Sequence, residues 1–166
     1  MSMTDYSVVV VGTDGSSLAE PTVARAAWLA KHEDADLVIV CAYSRLSLRA
    51  EARNIATLGG DPRGGEVLGR AAANEALTRA VSVASGYGAT VTAALMIEGD
   101  PAEALIDTVR KYGAGLLVLG ARSDVSFAER LLGTVAREIV DRAFCDILIV
   151  RPNKPGEIAV PEDAEG

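Results

Sequence analysis

With 166 residues the chain is long enough for one domain with a substantial core and too short for two of ordinary size. Its 49% hydrophobic content demands a folded globule, and a 4% aromatic share makes that core aliphatic, with the lone Trp28 packed on it. A balance of 16 Lys plus Arg against 23 Asp plus Glu, net −7, opposes unspecific attraction to nucleic acid or anionic membranes, so neither is expected as a partner.

No basic-then-apolar signal opens the chain, and no apolar run nears the roughly 18 residues of a membrane span, which makes the cytoplasm the expected compartment. Cys41 and Cys145 each sit in strand-like apolar surroundings and read as buried structural thiols rather than a disulfide or a nucleophile. There is no Cys-x-x-Cys, and the single His32 falls at a polar helix end, so a zinc-type site is not expected.

In chain order, Val8 to Val11 are four successive β-branched residues, the pattern of a central strand buried on both faces. Thr13, Asp14, Gly15 and Ser16 form the turn into a helix ending near His32, with Pro21 acceptable only in its first turn. Asp14 has two readings. It or Ser16 caps the helix, or its carboxylate at the strand end meets a ribose, an adenine or a magnesium ion beside phosphates.

Asp36 to Tyr43 is the second strand. From Ser44 to Gly65 a helical piece carrying Arg45, Arg49 and Arg53 gives way to a loop from Gly59 to Gly65, its arginines either a solvated face or a clamp over an anion. No Gly-Lys-Ser/Thr follows any glycine, which rules out a Walker-type phosphate loop. Glu66 to Gly86 has the spacing of an amphipathic helix, its alanines allowing close approach to a sheet.

Val91 to Glu98 is the third strand. Asp100 as N-cap, Pro101 at the first helical position and Glu103 two residues on then open a helix that runs to Tyr112. Leu116 to Leu119 is a short unbroken apolar run, a fourth buried strand ending at Gly120. A last helix, capped by Thr134 after Gly133, continues to about Ala143, and Asp146 to Val150 is the fifth strand. The domain thus spans 1–151, and the tail 152–166, with three prolines and an acidic end, is expected to be flexible.

Five strands alternating with helices imply a doubly wound, five-stranded parallel α/β sheet with helices on both faces. Ligands of such sheets sit outside the carboxyl ends of the strands, where the strand order reverses. The stretch Gly120, Ser123, Gly133, Thr134 suits a phosphate there: glycine turns bare the backbone, and free amides at a helix start favour an anion.

That stretch resembles the universal stress protein signature G-x2-G-x9-G-[S/T], with Ser123 in place of the second glycine, and VVVVGTDGS at Val8 to Ser16 resembles the family's opening. The likeness runs from about Tyr6 to Arg151. It implies a Rossmann-like, adenine nucleotide alpha hydrolase-like sheet of order 3-2-1-4-5, and an adenine nucleotide, ATP with or without Mg or else cAMP, as ligand. cAMP is implied because GTDGS, Ala42-Tyr43 and RLLGTV resemble mycobacterial-type members. The nucleotide-binding set it implies is Thr13, Asp14, Ala42, Leu119, Gly120, Arg122, Ser123, Gly133, Thr134 and Val135. Asp14, also the candidate metal ligand, and Ala42 handle the nucleoside, while Gly120, Ser123, Gly133 and Thr134 hold phosphate. The family also implies a homodimer through the fifth strand, at Ile147, Ile149 and Val150. Two other functions stand beside nucleotide binding: a dimeric scaffold that binds no nucleotide, and a slow ATPase.

Overall fold

The valine-rich opening strand lies in the middle of a sheet whose neighbours all run parallel to it. A computed structural model describes residues 6–44, 67–121 and 133–151. In chain order the elements are β1 (Val8–Gly12), α1 (Ala19–His32), β2 (Asp36–Ser44), β3 (Val67–Leu68), α2 (Arg70–Gly86), β4 (Thr90–Glu98), α3 (Pro101–Tyr112), β5 (Leu116–Gly120), α4 (Thr134–Arg142) and β6 (Asp146–Val150).

The five main strands are ordered β4-β2-β1-β5-β6, which is the 3-2-1-4-5 arrangement expected for five strands. The two-residue β3 is an addition, pairing Val67 with Tyr43 and Leu68 with Ser44 at the end of β2. It corrects the expected helix, which begins at Arg70 and not at Glu66. Gly69, with φ 86° and ψ 153°, breaks the helical path that the apolar spacing suggested.

Strand alternation sorts the core into two layers. Val9, Val11, Leu37, Ile39, Cys41, Leu116 and Val118 meet α1 and α2 on one face. Val10, Val38, Val40, Ala42, Leu117 and Leu119 meet α3 and α4 on the other. Val9, Val10 and Val11 have no exposure, and burying each contributes about 1.5–3 kcal/mol. The edge strand β4, by contrast, is buried nowhere along its length, and its first six residues alternate exposed with half-buried.

Local signals act where they were expected at α3. The Asp100 carboxylate accepts the Glu103 N–H at 3.0 Å, Pro101 holds the first position, and Gly113 ends the helix at φ 63°. Pro21 sits in the first turn of α1. Trp28 is only half-buried and stacks on His32, ring centroids 4.0 Å apart. Cys41 is buried, whereas Cys145 is half-buried; both are free thiols. Among the described residues no helix is long and apolar enough to cross a membrane. The expected helical piece and glycine loop across 45–65, and the tail 152–166, lie outside the described residues.

Candidate functional site at the sheet crossover

β1 pairs with β5, Val9 beside Leu116, Val10 beside Leu117 and Val11 beside Val118. After β1 the chain turns to the α1/α2 face, and after β5 it turns to the α3/α4 face. Two neighbouring strands whose exits part in this way leave a crevice at their carboxyl ends. Thr13 and Gly120 therefore meet at one place although the chain between them makes most of the fold.

The β1 side of the crevice is rigidly tied. The Thr13 N–H donates to the Val40 carbonyl at 2.9 Å, which fixes the turn two residues before Ala42 in β2. Ala42 is 6% exposed and belongs to the α3/α4 layer. The half-buried Asp14 accepts the Ser16 N–H on Oδ1 at 2.9 Å, and Gly15 follows at φ 73°. This local turn corrects the capping reading: the N-cap of α1 is Leu18, and no side chain caps it. The Asp14 charge reaches inward as well, adding to the burial that pushes the Cys41 thiol up to about 12.

On the β5 side, Leu119 is buried and Gly120 is exposed. The Ala121 N–H donates to the Val150 carbonyl at 2.7 Å, carrying the chain out along β6. A β-carbon on Gly120 would lie 2.8 Å from Thr22 Oγ1 and 3.2 Å from a Leu18 methyl, so this glycine lets β5 press against α1. Thr22 is a site-shaping residue that sequence reasoning missed. Its signal was a hydroxyl four residues after Leu18, where it can return a bond to that carbonyl, which it does at 2.6 Å.

The start of α4 differs in detail from the expectation. Gly133 is the N-cap, at φ −70° and ψ 170°, and Thr134 is the first helical residue rather than the cap. Among the described residues no side chain caps the amides of the first turn, where the helix dipole favours an anion. Thr134 is exposed and Val135 half-buried. Ala136, in the same turn, belongs to one core cluster with Leu119 and Ala42. At its far end α4 is tied down by Arg142, which donates to Glu103 of α3 at 2.8 Å and to Glu138 at 2.7 Å. Those bonds, first the one to Glu103, raise the Arg142 pKa.

Of the expected set, Thr13, Asp14, Ala42, Leu119 and Gly120 therefore gather at one end of the sheet, with Gly133, Thr134 and Val135 on the helix that packs beside it. Arg122 and Ser123 lie outside the described residues. Among the described residues no three His, Cys, Asp or Glu side chains cluster as candidate metal ligands.

A parallel doubly wound sheet with its strand order reversing between β1 and β5, a glycine-ended strand and a glycine N-cap on the helix beyond defines a Rossmann-like architecture. Comparison with known proteins is specific: the model of the Universal stress protein family matches residues 5–151. The chain belongs to the universal stress protein family. It is 38% identical over 148 residues to the universal stress protein Rv1636 of Mycobacterium tuberculosis, covering 89% of this chain and 98% of that one. The crystal structure of Rv1636 superimposes with a TM-score of 0.55. A universal stress protein solved in complex with cAMP is 30% identical, with a TM-score of 0.65 over 89% of this chain and 98% of that one. The Archaeoglobus fulgidus protein solved in complex with dAMP, at 22% identity and a TM-score of 0.61 over 88% of this chain and 98% of that one, shows the likeness of fold.

Proposed function

We propose that this chain is a binding protein for an adenine nucleotide, acting in a stress-response or signalling role as a cytoplasmic homodimer rather than as an efficient enzyme. The observation that carries the reading is the β1/β5 crossover, where the Asp14 turn, the small Ala42 and the Gly120 exit share one crevice. In this reading adenine lies beside the small Ala42 side chain, the Asp14 carboxylate meets the nucleoside, and the start of α4 holds a phosphate. Of the two nucleotides, cAMP is favoured by the relative bound to it at 30% identity, and its single negative charge needs fewer donors than a triphosphate.

Calorimetry with cAMP, and with ATP in the presence and absence of magnesium, tests the reading. Mass analysis of any nucleotide released from the purified protein accompanies it. Saturable binding of cAMP, lost in Gly133→Val while the fold persists, is the expected result. Gly133 has ordinary extended backbone angles that valine can adopt, so that variant adds bulk at the helix start without backbone strain. Absence of binding by every one of these nucleotides would leave the dimeric scaffold as the function, and turnover of ATP abolished by Asp14→Ala would establish the ATPase instead.

A further inference from the structure

β2 runs past the end of β1, and the extra length carries a polar group with nothing to bond. β1 stops at Gly12, opposite Val40, and β3 takes up the same edge of β2 only at Tyr43, because β4 already occupies the other edge as far as that residue. Between those points Cys41 and Ala42 have no strand partner on the β1 side, so the crossover crevice is flanked along β2 by Thr13 on one side and β3 on the other. Strand alternation puts Ser44 on the same α3/α4 face as Ala42, roughly 6.6 Å further along at a rise of about 3.3 Å per residue.

Three buried side-chain polar atoms lack a hydrogen-bond partner among the described residues: Arg25 Nε, Trp28 Nε1 and Ser44 Oγ. The first two belong to α1, on the opposite face of the sheet, and only Ser44 stands on the face that carries Ala42. Its main chain is engaged, since it pairs with Leu68 and its carbonyl accepts the Gly69 N–H at 2.9 Å. The residue is therefore held in place while its hydroxyl is idle. Buried hydroxyls are nearly always bonded, so one that the fold leaves idle at the end of a crevice-lining strand points to a ligand atom as its partner.

From this arrangement we infer that Ser44 is a specificity-determining residue for the base, its hydroxyl accepting a hydrogen bond from the 6-amino group of adenine. The inference rests on the nucleotide reading above, in which the base lies beside Ala42. With the phosphate at the start of α4 and the nucleoside at Asp14, the edge of the base farthest from the ribose extends along β2 to Ser44. In adenine that edge carries an amino donor, and a serine hydroxyl has two lone pairs to accept it. The methyl group of Ala42 can do no more than pack against the ring. Ser44 is thus the group that separates adenine from a purine lacking the amine.

The test is calorimetry on the full chain and on Ser44→Ala with two ligand pairs, cAMP with purine riboside cyclic monophosphate and ATP with purine riboside triphosphate. Within each pair the second member lacks only the 6-amino group. The parent is expected to bind the adenine member of its preferred pair about three- to tenfold more tightly than the purine member. Ser44→Ala should erase that preference by weakening the adenine member alone, and Ser44→Thr, which keeps the hydroxyl, should retain it. Because the hydroxyl has no partner in the ligand-free fold, Ser44→Ala should not lower the ligand-free unfolding midpoint. Equal weakening of both members, a preference surviving in Ser44→Ala, or a lowered midpoint would overturn the inference and leave the nucleotide reading standing. A parent that binds none of the four ligands would overturn both.

Discussion

Gly120 and Thr22 touch so closely that no side chain can stand between them: a β-carbon at Gly120 would lie 2.8 Å from the Thr22 hydroxyl oxygen. The first glycine of the signature stretch thus serves the packing of β5 on α1 before it serves any ligand. Gly120→Ala should destabilise the fold by about 1–3 kcal/mol through overpacking, lowering Tm by about 2–4 °C per kcal/mol. Thr22→Ala alone costs about 1 kcal/mol by losing the 2.6 Å bond to the Leu18 carbonyl, which still holds the Thr22 N–H. The double variant should be more stable than the sum of the two losses by about 0.5 kcal/mol or more in urea unfolding. Strict additivity would show that Gly120 is free to carry a side chain.

What was readable from sequence followed from local or repeated signals. Val8–Val11 and Leu116–Leu119 are apolar without interruption, as two-sided burial explains, whereas their pairing at the crossover was implied only by the family resemblance, whose strand order 3-2-1-4-5 sets the first and fourth strands side by side. Asp100, Pro101 and Glu103 were legible because all three act within one turn. The contact between Thr22 and Gly120 was not, since nothing in either local sequence announces a partner so far along the chain. Val67 and Leu68 were misread because their spacing continues that of α2, while the backbone breaks at Gly69. At the start of α4, glycine and threonine are both acceptable caps, and only the extended angles at Gly133 decide between them.

One pair of substitutions separates the turn bond of Asp14 from the ligand contact proposed for it. Asp14→Asn keeps an oxygen for the Ser16 N–H and should leave stability within about 0.5 kcal/mol of the parent. It should, however, abolish any magnesium dependence of ATP binding, because the charge is gone. Asp14→Ala loses turn and ligand contact together and should weaken nucleotide binding by about 1.5–3 kcal/mol. Equal affinities for parent, Asn and Ala variants in calorimetry would remove Asp14 from the site.

Dimerisation through the last strand has a concrete surface to act on. β6 pairs with β5 on one side only among the described residues, Ile147 and Ile149 are half-buried, and Phe144 beside them is 96% exposed. A second copy covering this edge would remove that apolar area from water, and a lysine on an edge strand is an effective block to such pairing. Ile147→Lys should shift sedimentation from dimer to monomer, and Phe144→Ser should weaken the dimer without affecting the unfolding midpoint of the monomer. A parent protein that sediments as a monomer at all concentrations would end this proposal.

Alkaline pH should reveal the buried thiol of β2. Cys41 has no exposure, and burial, with the Asp14 carboxylate adding to it, moves its pKa from 9.0 up to about 12. Between those values the folded chain keeps a proton that the unfolded chain has lost. Stability from this group is therefore complete below about pH 9 and declines by up to about 1.4 kcal/mol per pH unit as pH rises towards 12. Tyr6 contributes in the same sense above its ordinary 10.0, because its hydroxyl donates to Asp146 Oδ2 at 2.6 Å and that bond favours the neutral phenol. Urea unfolding from pH 8 to 11 separates the two: Cys41→Ala should flatten the part of the decline that begins near pH 9, and Tyr6→Phe only the part above pH 10. The absolute loss from the smaller alanine side chain shifts the whole curve and leaves its slope as the measure. An unchanged slope in Cys41→Ala would show that the thiol ionises as easily in the folded chain as in the unfolded one.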